Sequence, residues 1–337
     1  FIQFKLEAQV IRRRPEYGLE DRLLLDKIDL EGGRVVIDDQ AHPLLDTRMP
    51  TIDPSHPFRL TPGEAYVMAR LKRAFTSSES LQRHARFLFA KGGMYKTYNG
   101  NLLYHGCIPM NADLSFKAMR LDGSEYAGKE LMEKFQGLAR QGFFESDDPA
   151  RKAVGLDAMW YLWCGPCSPL FGKEKITTFE QYFIADPGAR KEPRNIYYEL
   201  RDDETAVRRI LIAFGLDPDR GHIINGHVPV MVREKERPLK AGGRLIVIDG
   251  GFSRVYQKKT GIAGYTLVHN SWGLLLATHQ REGADPRTDR LAHDIHCTTE
   301  ILEDRQERIR IKDTDLGGEI QERIAALTAL HEAYRKG

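Results

Sequence analysis

Tyr98-Asn99-Gly100-Asn101-Leu102-Leu103-Tyr104-His105-Gly106-Cys107-Ile108-Pro109 is the stretch on which the reading of this chain turns. The residues before it, Met94-Tyr95-Lys96-Thr97-Tyr98, alternate and are rich in strand formers. Asn99-Gly100 is the pair that a two-residue type I′ hairpin asks for, because both of its central positions need positive φ. Asn101-Leu102-Leu103-Tyr104 is then the return strand, and His105 stands where that strand ends. The glycine after it lets a bulky group approach the backbone closely. Loops at strand ends are where a rigid sheet presents catalytic groups. A lone histidine in such a place is ordinarily a satisfied core residue.

His227 repeats the grammar. Ile223-Ile224-Asn225-Gly226-His227-Val228-Pro229-Val230 is a strand, a small turn, a histidine and a proline. Two histidines at strand ends, far apart in sequence, suggest a metal site assembled by the sheet, since neutral imidazole is the commonest metal ligand. Two are not a full set. Structural zinc takes four ligands and catalytic zinc usually three protein ligands, so carboxylates, amides or solvent must supply the rest. A third apolar strand, Arg244-Leu245-Ile246-Val247-Ile248, closes on Asp249-Gly250-Gly251-Phe252-Ser253-Arg254-Val255-Tyr256-Gln257-Lys258-Lys259. Its glycines and cations can hold an anionic group, arginine by two prongs and lysine as a point charge. The plainer reading of the same residues is a turn with solvated cations.

Outward from these strands the chain interleaves helices and strands, which places it in the α/β or α+β class. Helices are expected over 1–12 and 18–29, separated by Arg12-Arg13-Arg14-Pro15, whose arginines read as solvated surface. Thr61-Pro62-Gly63-Glu64 is a helix start, with a cap, proline at the first position and glutamate at the third. A second helix is expected from Ser77 or Ser78 to Lys91, stopped by Gly92-Gly93, then others near 127–140, over much of 147–183, and from Asp202 to Phe214 with Gly215 beyond its end. A hairpin is expected over 264–279 and an amphipathic helix from Asp315 to Tyr334. The expected division is a mostly helical segment 1–93, a sheet-bearing segment 94–290 with a helical insertion near 127–215, and a helical tail 291–337.

Composition is that of a globular chain: 337 residues, 41% apolar and 29% charged, with a formal net charge of +2. No basic field points to nucleic acid or a membrane surface, and no apolar run approaches the ~20 residues of a membrane span. Four cysteines in a chain of this length form no disulfide framework, which points to a reducing, cytoplasmic compartment. The chain opens Phe1-Ile2-Gln3-Phe4-Lys5-Leu6-Glu7, without Met or cap and with a helical face already under way, so a cut N-terminus is expected.

The stretch 98–109 resembles a block of the class III fructose-1,6-bisphosphatases. So do Ser168-Pro169-Leu170-Phe171-Gly172 with Thr177-Thr178-Phe179-Glu180, the stretch 224–230, Ile248-Asp249-Gly250-Gly251-Phe252-Ser253, and Thr260-Gly261-Ile262-Ala263-Gly264-Tyr265-Thr266-Leu267. Gln3-Phe4-Lys5-Leu6-Glu7, Glu20-Asp21-Arg22-Leu23-Leu24-Leu25 and Lys312-Asp313-Thr314-Asp315 match as well, so the resemblance runs along essentially the whole chain. It implies a calcineurin-like metallophosphatase: mixed sheets packed as a sandwich, flanked by helices, with added helical segments. It implies two divalent ions, Mn²⁺, and hydrolysis of fructose 1,6-bisphosphate to fructose 6-phosphate and phosphate in gluconeogenesis. His105 and His227 are then metal ligands, and Asn225, Arg254, Tyr256 and Lys258 the expected substrate-binding residues.

That superfamily carries Asp-x-His, Gly-Asp-x-x-Asp and Gly-Asn-His blocks ahead of its two histidine blocks, and this chain has none of the three. Asp294-Ile295-His296 imitates the first but follows no apolar strand; Asp217-Pro218-Asp219-Arg220-Gly221 lacks the leading Gly-Asp of the second; Gly100-Asn101 is followed by Leu102. The expectation is a C-terminal half that supplies half of a site. It would be inactive alone and completed by an N-terminal half of the same protein, with a homo-oligomer also open; the alternative is an inactive or binding-only fragment. A rival reading comes from Trp163-Cys164-Gly165-Pro166-Cys167, which matches a thioredoxin-type redox motif through Cys164 and Cys167 but lacks the surrounding βαβ pattern.

Overall fold

The helix start at Thr61 forms as its sequence dictates. Thr61 Oγ1 accepts a hydrogen bond from the Glu64 amide at 3.2 Å, and Glu64 Oε2 accepts one from the Thr61 amide at 2.8 Å. The structure, a computed structural model, describes residues 1–250, 253, 256, 259–261, 264–281 and 295–336. They form two compact units, Phe1–Met94 with Cys107–Tyr198, and Tyr95–Gly106 with Glu199–Gly337. The chain passes between the units at Met94, at Gly106 and at Tyr198, a partition that differs from the three consecutive segments expected.

The first unit opens with α1 (Ile2–Arg13), which buries Lys5, Glu7, Ala8 and Ile11. Residues expected as a second helix, 18–29, instead form two short 3₁₀ turns and the first strand of a small antiparallel sheet. Leu23-Leu24-Leu25 cannot all lie on one helical face, and Gly18 sits at φ 61°, a turn rather than a helical position. The sheet is β1 (Ile28–Asp29), β2 (Arg34–Ile37) and β3 (Gln40–Pro43), in that order. After it come α2 (Pro62–Thr76) and α3 (Glu79–Lys91).

Past Cys107 the same unit holds β6 (Met119–Leu121) and β7 (Ser124–Tyr126), a hairpin, then α4 (Gly128–Phe144) and α5 (Pro149–Cys164). Two glycines let the backbones of α4 and α5 meet: a Cβ on Gly155 would lie 2.2 Å from the amide nitrogen of Gly142. Phe135, Leu138, Ala158 and Tyr161 form the core there, joined by Ile11 and Tyr17. The arginine run is not simply solvated. Arg13 and Arg14 both donate to Asp157, at 2.6 and 2.9 Å, and Asp157 is only 3% exposed. Arg12 lies over the Phe58 ring. A carboxylate buried at that depth needs charged partners. The short α6 (Thr178–Phe183) follows, and the unit ends within α7 (Tyr197–Leu200).

The second unit is built on a five-stranded sheet of β4 (Tyr95–Tyr98), β5 (Asn101–Tyr104), β8 (His222–Asn225), β10 (Leu245–Val247) and β9 (Leu239–Lys240), in that spatial order. Asn99 and Gly100 take φ 49° and 78°, the paired positive values of the expected turn. β5, β8 and β10 run parallel, with Leu102 opposite Ile223 and Leu245 opposite the same Ile223. β8 and β10 are buried along their whole length, as strands covered on both faces are; Leu102, Ile223, Leu245 and Ile246 have no exposed surface, whereas Leu103 of β5 is 36% exposed. α8 (Glu204–Ala213) starts at Asp203, whose carboxylate accepts from the Ala206 amide at 2.9 Å, and turns Val207, Ile210 and Leu211 inward.

An antiparallel sheet follows, β11 (Gly264–Asn270), β12 (Gly273–Arg281) and β13 (Ile295–Asp304). The region expected as a helical tail, 291–337, thus contains a strand with Cys297-Thr298-Thr299-Glu300-Ile301, where β-branched residues favour extension. The helix α9 (Asp315–Lys336) comes only after it. The class is α+β, several sheets flanked by helices. Among the described residues no helix is long and apolar enough to cross a membrane.

Candidate metal centre

The parallel pairing of β5 with β8 brings their C-terminal ends side by side, and each strand is followed by its histidine. Hydrogen bonds carry the pairing past the strands proper. The Gly226 amide donates to the His105 carbonyl at 2.9 Å, and the Ile248 amide to the Asn225 carbonyl at 2.9 Å. The Val230 amide then donates to the Asp249 carbonyl at 2.8 Å. The exits of β5, β8 and β10 are therefore laced together in one row.

Within that row His105 Nε2 lies 3.1 Å from His227 Nδ1, with the rings edge to face and their centroids 5.0 Å apart. His105 is exposed and His227 half-buried, so the pair faces solvent at the sheet end. His227 holds φ 68°, and the Val228 amide donates to the Gly226 carbonyl at 2.8 Å. This is a γ-turn centred on His227 in its rarer, strained form. A non-glycine residue there costs about 1–3 kcal/mol, a strain that gathers at functional sites.

Asn225 is 2% exposed, and its Nδ2 donates to the Gly106 carbonyl at 3.3 Å. It braces the backbone that carries His105 against the end of β8. Tyr256 lies on the segment after β10 and is 52% exposed, its amide donating to Ser253 Oγ at 3.4 Å. Thr260, buried, anchors that segment by donating to the Gly250 carbonyl at 2.8 Å. Arg254 and Lys258 lie outside the described residues.

Asp249, in sequence the start of a glycine-rich turn, occupies the third strand exit. A Cβ placed on Gly226 would sit 3.6 Å from Asp249 Oδ2 and 3.8 Å from the His105 carbonyl oxygen, so the carboxylate lies beside the turn that presents His227. The signal for it was the grammar already used for the histidines, an apolar strand ending on a polar residue.

Imidazole donors suit first-row transition ions. The two imidazoles are donors of that type, and the 3.1 Å contact joins them as a hydrogen bond, one ring nitrogen donating and the other accepting. Among the described residues no group of three or more His, Cys, Asp or Glu side chains is arranged to hold one.

The redox reading of Cys164 and Cys167 is overturned by position. A reactive thiol of that type sits at a helix N-terminus, where the dipole favours thiolate. Cys164 is instead the last residue of α5, at the negative end. Both thiols are buried; burial pushes Cys164 up to about 12, and Cys167 is raised chiefly by burial as well. Cys167 donates to the Ala118 carbonyl at 3.8 Å, and Tyr161 Oη accepts from its amide at 3.1 Å, so the motif packs the end of α5.

Comparison with known proteins bears on the whole chain. Residues 1–336 match the family described as Firmicute fructose-1,6-bisphosphatase. A protein of Clostridium novyi (strain NT) named fructose-1,6-bisphosphatase class 3 is 51% identical over 336 residues, covering 100% of this chain and 50% of that protein. One of Alkaliphilus metalliredigens with the same name is 50% identical, over 100% of this chain and 51% of its own length. A third, of Clostridium tetani, is 48% identical with coverage of 100% and 51%. The chain thus spans about half the length of the curated relatives it matches. No solved structure matches it. The match runs along the entire chain and does not by itself support the expectation of a C-terminal half or that of a half-site inactive alone. The chain belongs to the Firmicute fructose-1,6-bisphosphatase family.

Proposed function

We propose that this chain serves the metal-dependent hydrolysis of fructose 1,6-bisphosphate to fructose 6-phosphate and phosphate, with His105 and His227 as metal ligands. The observation that carries the reading is the 3.1 Å approach of the two imidazole nitrogens at the ends of adjacent parallel strands. Its support in kind is membership of the family and the name shared by the relatives.

Mn²⁺ is the proposed ion, one of two in the complete site. Bound, it would act as a Lewis acid on a phosphoryl oxygen. The residues of the chain hold and orient. His105 and His227 would each offer one ring nitrogen to the ion in place of the hydrogen bond that joins them. Asn225 ties the His105-Gly106 backbone to β8, which keeps that nitrogen in place. The γ-turn at Gly226-His227 fixes the second ring. Arg254 and Lys258 are proposed to receive substrate phosphate, together with Tyr256. A role in gluconeogenesis in the cytoplasm belongs to the same proposal, and free thiols at Cys107, Cys164, Cys167 and Cys297 suit such a reducing compartment.

The test is phosphate release by the purified protein with Mn²⁺ from fructose 1,6-bisphosphate, set against fructose 6-phosphate and a phosphoserine peptide. Preference for the bisphosphate is expected. Equal or better hydrolysis of the phosphopeptide would assign the site to a protein phosphatase instead.

A further inference from the structure

The second unit holds a cavity of about 780 Å³ away from the histidine pair, at the other end of β5, beside the Asn99-Gly100 turn. β5 spans Asn101–Tyr104, so at ~3.3 Å per residue the turn and His105 are roughly 16 Å apart. The size falls within the ~300–1,000 Å³ of small-molecule sites.

The walls are built rather than loose. Asn99 and Asp315 exchange hydrogen bonds, the Asn99 amide donating to Asp315 Oδ2 at 2.8 Å and the Asp315 amide to Asn99 Oδ1 at 3.0 Å. The segment after β13 is pinned to the β11–β12 turn, with the Arg305 amide on the Trp272 carbonyl and the Ile309 amide on the Ser271 carbonyl, each at 2.8 Å. On this frame four arginines, Arg220, Arg305, Arg308 and Arg310, line the cavity together with four carboxylates, Glu303, Glu307, Asp313 and Asp315, of which Asp313 accepts from the Arg310 amide at 3.2 Å. Arg305 is matched by Glu303 at 2.9 Å. Arg308 Nε donates to Ser271 Oγ at 3.0 Å. Among the described residues, Arg220, Arg308 and Arg310 stand in no salt bridge. Two of the sequence blocks that the histidine site leaves unused, Asn99-Gly100 and Asp313-Thr314-Asp315, meet here.

We propose that this cavity is a second binding site, for a small phosphate-bearing anion. Guanidinium groups on a fixed frame suit phosphate through paired N–H donors. Arg220 enters from the segment before β8 and Arg308 and Arg310 from the segment after β13, so an anion held between them is gripped from two directions. The site is separate from the histidine pair and does not depend on the hydrolytic reading.

The experiment is calorimetric titration of the metal-free protein with inorganic pyrophosphate in the presence of chelator. Saturable binding is expected. Arg220→Ala with Arg310→Ala should weaken it at least tenfold, while His105→Ala with His227→Ala should leave it within twofold. Both arginines are exposed, so the fold should persist, as circular dichroism can check; Arg310→Ala alone is the fallback, with a smaller loss expected. The proposal is overturned if pyrophosphate shows no saturable binding, if the arginine variants bind like the parent, or if the histidine variants abolish binding.

Discussion

His105 Nε2 and His227 Nδ1 stand 3.1 Å apart although 122 positions separate the two residues in the chain. The parallel register of β5 and β8, with Leu103 opposite Ile224, produces the meeting. Removing either ring should therefore lower Mn²⁺ affinity at least as much as losing a supporting group around a metal does, ~10–100-fold. Titration of His105→Ala and His227→Ala by Mn²⁺ electron resonance checks this; an affinity unchanged in both would remove the pair from any metal site.

His227 also carries a cost that can be measured. Its φ of 68° suits glycine, so His227→Gly should raise stability by about 1 kcal/mol while abolishing its share of metal binding. Denaturant unfolding gives the stability. A destabilised glycine variant would mean that the ring itself holds the turn.

In the first unit Lys5 is fully buried, with Nζ 2.7 Å from Glu64 Oε2. Burial alone would raise the Glu64 carboxyl, but hydrogen bonds from Lys5 and the Thr61 amide outweigh it and hold it at about 2. Its folded pKa lies below its unfolded value, so its contribution is present above about pH 4.5 and is lost as pH falls toward 2. Lys5→Met, which strands the carboxylate, should cost about 3–5 kcal/mol at neutral pH. Urea unfolding at pH 7 measures it, and a loss below 1 kcal/mol would count against a tight pair.

Glu7 behaves in the opposite sense. Burial lifts it to about 7, with Arg22 pulling the other way. The folded state therefore keeps a proton that the unfolded chain has released, and the stability it contributes is full below about pH 4.5 and lost as pH rises through about 7. Glu7→Gln should flatten the decline between pH 5 and 8 in melting experiments; an unaltered slope would exclude Glu7 as its source.

Iodoacetamide at neutral pH should label Cys297, which is exposed, well before Cys107, Cys164 and Cys167, which are buried. Burial pushes Cys107 and Cys164 up to about 12, so little thiolate is present. Peptide mass mapping over time distinguishes the sites. Fast labelling of Cys164, or a Cys164–Cys167 disulfide under mild oxidation, would revive the redox reading.

The parts legible in the sequence were those with local causes. Asn99-Gly100 has one good backbone solution, and the apolar runs 223–224 and 245–247 could only be covered strands. Strand ends then place His105 and His227, and the same pattern of an apolar strand ending on a polar residue covers Asp249. What stayed hidden depended on distant partners. Arg13 and Arg14 read as surface because nothing nearby announces Asp157, 144 and 143 positions away. Leu23-Leu24-Leu25 suggested a helix until packing demanded turns. Trp163-Cys164-Gly165-Pro166-Cys167 misled because its chemistry depends on which end of a helix it occupies, a matter the five residues do not encode.

The most direct test of the account is Mn²⁺-dependent phosphate release from fructose 1,6-bisphosphate by the protein carrying His105→Ala or His227→Ala. Each variant should keep its fold and lose activity by ~100-fold or more. Activity within twofold of the parent in either variant would contradict the assignment of the strand-end histidines to the metal.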